Sequence, residues 1–432
     1  PAMASIIDTK LRFEAKPNLY QLAVYYSVYR ALAGGDYDWV YLDTTHGINY
    51  MPHLANEAVR LAVHVYAVKS GRPIEYVTVN SDPYPQREGP TAKPQGQSEV
   101  PNLTIYETYH ETATPQGAPG VVGALSLDIL KWYVKTTPRT NREGLHVGEE
   151  ALRLGLILGV SLRDALYPVI ISLRDEIGRY RDVVEADLGR LDTAPVSVRR
   201  DGDWTVVAHM YEPSILRSSG GVMYRAAMAI HSLLEVAHKL VEDVKGEVRV
   251  VNGSVALTID ALRRLNNAYG NITNRAIVEN EIAKLQYVEN DVNRDFMSKR
   301  VGRQYRLMIF EAYPYDQLWT RCIRNETSAC KTLDDMLNAI DRGGETPEIV
   351  STKYDLCSIA TGDSDEAVID KYRDLVSHAG LDMYNTYVVI TEEGGRRKPL
   401  VTYGDKLNCL MDLIYRGVLI EVVTDEAVQA WV

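Results

Sequence analysis

The chain is short of phenylalanine, cysteine, long apolar runs and positive charge. Its 432 residues include 3 Phe and 4 Cys, and the formal net charge is -11. The longest apolar run, around Leu154–Leu162, falls far below the roughly 20 residues a membrane helix needs, and no signal-peptide pattern opens the sequence. A soluble, cytoplasmic protein with no membrane contact is expected. The cysteines (Cys322, Cys330, Cys357, Cys409) show no C-x-x-C spacing, which disfavours structural zinc; a structural disulfide stays open. An acidic chain lacks the basic field of a general nucleic-acid coat, although a small basic cleft in an acidic body is compatible with it. Also missing is a cluster of paired carboxylates with a lysine on neighbouring strands, the pattern of a metal-dependent nuclease. Neither metal nor cofactor is expected.

What is there fits a globular protein, with 46% hydrophobic and 24% charged residues. The length predicts at least two domains, because single cores rarely grow beyond about 250–300 residues. Tyrosine outnumbers phenylalanine 28 to 3, a bias that spacing alone ties to no function. Pro1–Ala4 reads as a cloning remnant.

Along the chain, residues 5–13 read as a strand and 18–33 as a helix closed by Gly34-Gly35. Asp38–Asp43 reads as a buried parallel strand, 48–68 as a helix and 74–80 as a second strand, which together make a βαβ unit. A proline-rich loop from Pro83 to Pro101 follows, and Leu103–Tyr109 returns to the same sheet. Helical periodicity then dominates (126–135, 148–158, 161–191, 222–244, 255–268, 272–293), interrupted by a hairpin, 196–200 and 204–211, around Asp201-Gly202. In the helix 48–68, Leu54, Ala58, Leu61, Ala62 and Val65 form an apolar stripe, opposite a polar one of His53, Asn56, Glu57, Arg60 and His64.

One constellation sits where the first strand of the βαβ unit ends, Asp43-Thr44-Thr45-His46-Gly47-Ile48-Asn49. Open α/β sheets bind ligands at that edge, and a helix N-terminus offers free N–H groups and a positive dipole end to a phosphate. Thr45, His46 and Asn49 supply short polar side chains there, and Gly47 lets the backbone approach a ligand. Spacing alone equally allows Asp43 and Thr45 to be helix caps and His46 a loop histidine. Asp43-x-Thr45-His46-Gly47, continued to Pro52, with Asn80-Ser81-Asp82-Pro83-Tyr84 after the next strand, resembles the DxTHG-motif family of type III CRISPR ancillary nucleases. The resemblance implies an α/β Rossmann-like CARF sensor over residues 5–112, lacking its first elements. It also implies that Thr45, His46, Gly47 and Asn49 bind a cyclic oligoadenylate, cyclic tetra-adenylate being the expected activator.

A second constellation lies near the C-terminus. Residues 366–379 read as a helix with Asp363 and Glu366 as a capping pair, a buried stripe of Val368, Tyr372, Leu375, Val376 and Ala379, and Gly380 as a left-handed cap. Arg373, Asp374 and His378 sit on its polar side. Asp374 and His378 are four apart and share a face; the carboxylate and the helix C-terminus both favour imidazolium. A histidine held near neutrality can move protons in RNA transesterification, and the planar guanidinium of Arg373 can stabilise the charged phosphorane. Similar Arg…His spacings recur at Arg139/His146 and Arg225/His231, where a structural role is expected.

Tyr372-Arg373-Asp374-Leu375-Val376-Ser377-His378-Ala379-Gly380 resembles the HEPN ribonuclease motif, and Tyr403 suits it. The resemblance implies an all-α HEPN domain over 218–432, joined to the sensor by a helical linker with a hairpin (113–217), and a homodimer that brings two Arg/His pairs into one cleft. It implies single-stranded RNA as substrate, with Arg373, His378 and Asp374 catalytic. Arg396, Arg397 and Lys398, in a charged loop, could guide RNA. The expected function is a cyclic-oligoadenylate-activated, metal-independent endoribonuclease in type III CRISPR antiviral defence. The alternatives are a CARF-type transcription regulator, with the 196–211 hairpin as its wing, and an inert binding module.

Overall fold

The computed structural model describes residues 10–14, 17–45, 51–81, 104–136, 146–191, 196–202, 204–209, 211, 223–292, 301–302, 304–307, 357, 359, 364–382, 385–393 and 395–429. The expected βαβ unit forms at the front: β2 (Trp39–Asp43), α2 (Met51–Ser70) and β3 (Ile74–Ser81), with β2 and β3 parallel in the register Trp39↔Glu75 to Asp43↔Val79. β4 (Ile105–Ala113) returns antiparallel to β3, closing a 3-stranded sheet in the order β2-β3-β4. α1 (Pro17–Ala33) packs along α2. Burial of α2 extends well beyond one stripe, because sheet, α1 and α7 all touch it. His64, expected on the polar stripe, is therefore buried, facing Glu111 of β4 at 3.3 Å.

β1 (Lys10–Glu14) does not join that sheet. It pairs in parallel with β6 (Trp204–His209), whose hairpin partner is β5 (Val196–Asp201), in a separate sheet ordered β1-β6-β5. The hairpin turns at Gly202, whose φ of 59° suits glycine. The hairpin weighed as a wing thus spends the β6 edge on β1.

The helical middle comprises α3 (Ala118–Thr136), α4 (His146–Arg163), α5 (Tyr167–Ser172), α6 (Arg174–Leu188) and α7 (Met223–Val244). α3 and α4 meet closely because glycine lines the contact: a Cβ on Gly123 would lie 2.8 Å from the Gly159 carbonyl oxygen and 2.5 Å from the Arg163 nitrogen. α7 touches α1, α2, α3, α4 and α6, so it is the axis around which front and middle pack. A single apolar cluster runs through the described residues from Leu19 to Val418.

Beyond α7 the all-α expectation for 218–432 is corrected. β7 (Val248–Val251), β8 (Ser254–Thr258), β9 (Gln304–Arg306), β10 (Tyr387–Glu393) and β11 (Arg396–Thr402) form a 5-stranded sheet ordered β7-β8-β11-β10-β9, antiparallel throughout. Its strands are 3 to 7 residues long, too short for periodicity to separate from neighbouring helix. The sheet is assembled by pairings such as Leu400↔Thr258, far apart in sequence. Arg396, Arg397 and Lys398, expected in a loop, open strand β11 after a turn at Gly395 (φ 75°).

Around this sheet lie α8 (Ile259–Tyr269), α9 (Ile272–Val292), α10 (Asp365–Ser377) and α11 (Leu407–Gln429). Thr258 ends β8 and caps α8, its Oγ1 accepting from the Ala261 N–H at 3.0 Å. A disulfide joins Cys357 to Cys409 at the start of α11, settling the pairing left open above. Tyrosine does much of the large-side-chain burial: Tyr25, Tyr76, Tyr167, Tyr372 and Tyr403 are among the largest fully buried residues.

Candidate functional site

At the C-terminal end of β2, Thr44 donates from its N–H (2.8 Å) and Oγ1 (2.9 Å) to the Val79 carbonyl. Thr45 donates its N–H to Asp43 Oδ1 at 2.8 Å, while its Oγ1 accepts from the Ser81 N–H at 2.9 Å. These bonds tie the C-terminal ends of β2 and β3 side by side, so Thr45 holds the rim of the sheet edge. Of the residues expected to bind ligand here, His46, Gly47 and Asn49 lie outside the described residues. On α2 behind the turn, Glu57 accepts from Gln21 Nε2 (2.7 Å) and from Arg225 of α7 (2.9 Å), coupling α2 to the helical middle. β2 is not the buried strand expected: it is an edge strand with Trp39, Tyr41 and Asp43 exposed, the rings of Trp39 and Tyr41 stacked 5.8 Å apart.

The Arg/His helix forms as expected with one change at its start. Ser364 is the N-cap, its Oγ accepting from the Ala367 N–H at 3.4 Å; Asp363 lies outside the described residues. Val368, Tyr372 and Leu375 are buried, as is Ala379 beyond the helix end, and each large apolar side chain contributes roughly 1.5–3 kcal/mol. The helix ends at His378: the Gly380 N–H (φ 81°) donates to the Leu375 carbonyl at 2.9 Å, and the Ala379 N–H donates to Val376 at 3.1 Å. Buried Tyr403, just past β11, donates its hydroxyl to the Gly380 carbonyl at 2.6 Å. The C-terminal end of α10 is thus pinned to the sheet.

Arg373 is exposed, and Asp374 and His378 are about a third exposed. His378 Nε2 faces Asp374 Oδ1 at 3.6 Å, the i,i+4 contact expected. Its Nδ1 faces Glu281 Oε1 of α9 at 3.1 Å. Glu281 is 2% exposed and also accepts from Lys284 at 3.0 Å. The hydrogen bond to Glu281 raises the His378 pKa above its ordinary value; partial burial and Lys284 oppose this, and Asp374 adds to it. Sequence reading missed Glu281. Its only signal is an acidic residue on a helix with little amphipathic bias, 97 positions before its partner. Lys398 is half-buried in β11; of the side chains of Arg396 and Arg397 nothing is described.

Among the described residues, one group has metal-ligand spacing: Glu185, His231 and Glu235. Its atoms are already committed. His231 Nδ1 pairs with the Tyr25 hydroxyl and Nε2 with Glu185, both at 2.7 Å. Glu235 accepts from Tyr29 (2.6 Å), Arg181 (2.5 Å) and Lys69. With two cations on its carboxylate, this reads as a buried ion network joining α1, α2, α6 and α7. No helix among the described residues is long and apolar enough to cross a membrane.

Among curated proteins no counterpart of the chain is found. Residues 1–83 match the family described as the CARF domain of the CRISPR system endoribonuclease Csx1. The matched stretch takes in β1, α1, β2, α2 and β3, and with them the Asp43–Thr45 turn. That likeness supports a CRISPR-associated CARF protein, with cyclic-oligoadenylate sensing in a type III CRISPR setting as the role such a domain suggests.

Proposed function

We propose that the chain is a cyclic-oligoadenylate-activated, metal-independent endoribonuclease of the CARF–HEPN kind, cutting single-stranded RNA. The observation that carries the reading is His378 at the C-terminal end of α10, with a carboxylate at each ring nitrogen and Arg373 exposed on the preceding turn. A partly exposed histidine with a raised pKa can donate a proton near neutrality. The guanidinium can meet the phosphorane charge, and the RNA's own 2′-hydroxyl can serve as nucleophile. Arg373 and His378 are five positions apart, about 140° around the helix, so one chain's pair does not embrace a phosphate by itself. A two-fold axis presents the same patch twice, and a homodimer completes the cleft.

On this reading, the sensor turn takes the cyclic oligoadenylate through Thr45, His46, Gly47 and Asn49, and the Glu57–Arg225 contact is one physical link between the sensor helix and α7. Arg396–Lys398 would approach RNA from the sheet rather than from a loop. The test is RNA cleavage with and without cyclic tetra- and hexa-adenylate, in EDTA. Activator-dependent products ending in 2′,3′-cyclic phosphate or 3′-phosphate are expected. Products with 5′-phosphates made only with added magnesium would overturn the reading, and no cleavage at all would favour a regulator or a binding module.

A further inference from the structure

We propose that Glu281 is a positioning residue that holds His378 as a doubly protonated imidazolium, so that His378 serves as the general acid of the cleavage; this rests on the ribonuclease reading above. The two ring nitrogens are treated differently. Nδ1 lies 3.1 Å from a Glu281 oxygen in a hydrogen bond, and Glu281 is 2% exposed. A carboxylate that far from water can satisfy its lone pairs only with protein donors, and among the described residues these are Lys284 and His378. The Nδ1 proton is therefore anchored. Nε2 lies 3.6 Å from Asp374 Oδ1, beyond hydrogen-bond reach. Its proton is favoured by the nearby negative charge yet committed to no acceptor, on a ring that is 36% exposed.

The charges facing the ring come from two helices. From α9, Glu281 favours the cation and Lys284 opposes it; from α10, Asp374 favours it and is itself shared with Lys371 at 3.4 Å. Arg373, five positions earlier on α10, is exposed. In the reaction, the 2′-oxygen bonds to phosphorus as its proton passes to water. The phosphorus–O5′ bond then breaks, and the Nε2 proton moves to the departing O5′. His378 is left neutral with Nδ1–H still on Glu281, and recovers its second proton from solvent. No oxidant or metal enters the balance.

The experiment uses the full chain carrying ring-labelled histidine, with the His378 signal identified by its loss in His378→Asn. Its midpoint is read by NMR titration, alongside the pH–rate profile with cyclic tetra-adenylate present. Glu281→Gln is expected to lower the His378 midpoint, and the alkaline limb of the rate profile should move to lower pH with it. Glu281→Asp should restore part of the shift. Because a buried substitution can unfold the chain, Lys284→Met is the companion: its side chain is one-third exposed, and removing its charge should move the midpoint upward, the opposite sign. Midpoints unchanged in both variants overturn the proposal, as does a midpoint that moves while the rate profile stays put. A wild-type chain that cuts no RNA overturns the ribonuclease reading and the acid role with it. The NMR midpoints in that case still report whether Glu281 holds the proton.

Discussion

Two Arg…His pairs on two helices, Arg225/His231 of α7 and Arg373/His378 of α10, have nearly the same spacing and opposite surroundings. His231 is 1% exposed, with Tyr25 and Glu185 occupying its nitrogens and Tyr29 edge-on to its ring at 4.8 Å. Arg225 is bonded to Glu57 and lies over Trp132 at 5.7 Å. His378 is 36% exposed with one nitrogen uncommitted, and Arg373 is exposed. Each histidine lies near a buried glutamate, Glu235 or Glu281. In the first pair both histidine nitrogens are taken and the contacts join helices; in the second the histidine is anchored on one side and open on the other. Spacing cannot separate a structural pair from a reactive one; leftover hydrogen-bonding capacity facing solvent can.

The sharpest way to break this comparison is to delete each histidine. His378→Ala should lower RNA cleavage by about 100-fold or more without unfolding the chain or preventing dimerisation. A purified mixed dimer with one substituted chain should keep much less than half the wild-type rate. His231→Ala should do the reverse, costing about 2 kcal/mol in urea unfolding by taking one hydrogen-bond partner each from the buried Tyr25 hydroxyl and from Glu185, while sparing the rate per folded molecule. Equal rate losses in both variants would erase the distinction.

Next in size, Glu235→Ala should destabilise by about 3 kcal/mol, because Lys69 and Arg181 lose their buried partner. Burial alone would raise the Glu235 pKa, but the charges of His231 and Lys69 and the bonds from Lys69 and Tyr29 outweigh it and hold it at about 2. A depressed carboxylate stabilises the fold above its unfolded value near 4.5, and that contribution is lost as pH falls from there toward 2. The loss is on the order of 3 kcal/mol. Urea unfolding at pH 7, 4.5 and 3 should show it in wild type and not in Glu235→Gln.

His378 runs the other way: its raised pKa gives stability that is full below about pH 6.5 and disappears as pH rises through the folded value. Because the ring is more than one-third exposed, the effect should be small. It should appear as a shallow alkaline loss of stability that His378→Ala removes. A deep alkaline loss would mean that His378 is as saturated as His231.

The smallest effect belongs to the turn after β2. Thr45→Val should cost about 1 kcal/mol by taking the acceptor from the Ser81 N–H, whereas His46→Ala and Asn49→Ala should weaken cyclic oligoadenylate binding in titration calorimetry. Unchanged affinity in both would mark the turn as structural.

Patterns set by neighbours in sequence were legible in the residues themselves. The βαβ unit followed from a short apolar strand, an apolar helix stripe and a second strand; the hairpin from Asp201-Gly202 between alternating runs; α10 and its left-handed end from Val368, Tyr372, Leu375 and Gly380. In each case the deciding forces act within a few residues, through periodicity, capping and turn geometry. Which distant segments meet was decided only in three dimensions. β1 leaves the front sheet for an edge almost two hundred residues away, the five short strands of the C-terminal sheet find one another across helices, and Tyr25, Tyr29 and Tyr403 bury rings whose hydroxyls reach His231, Glu235 and Gly380. Glu281 reaches His378 the same way. A buried carboxylate must find its donors wherever packing places them, and no local rule in the sequence encodes that partner.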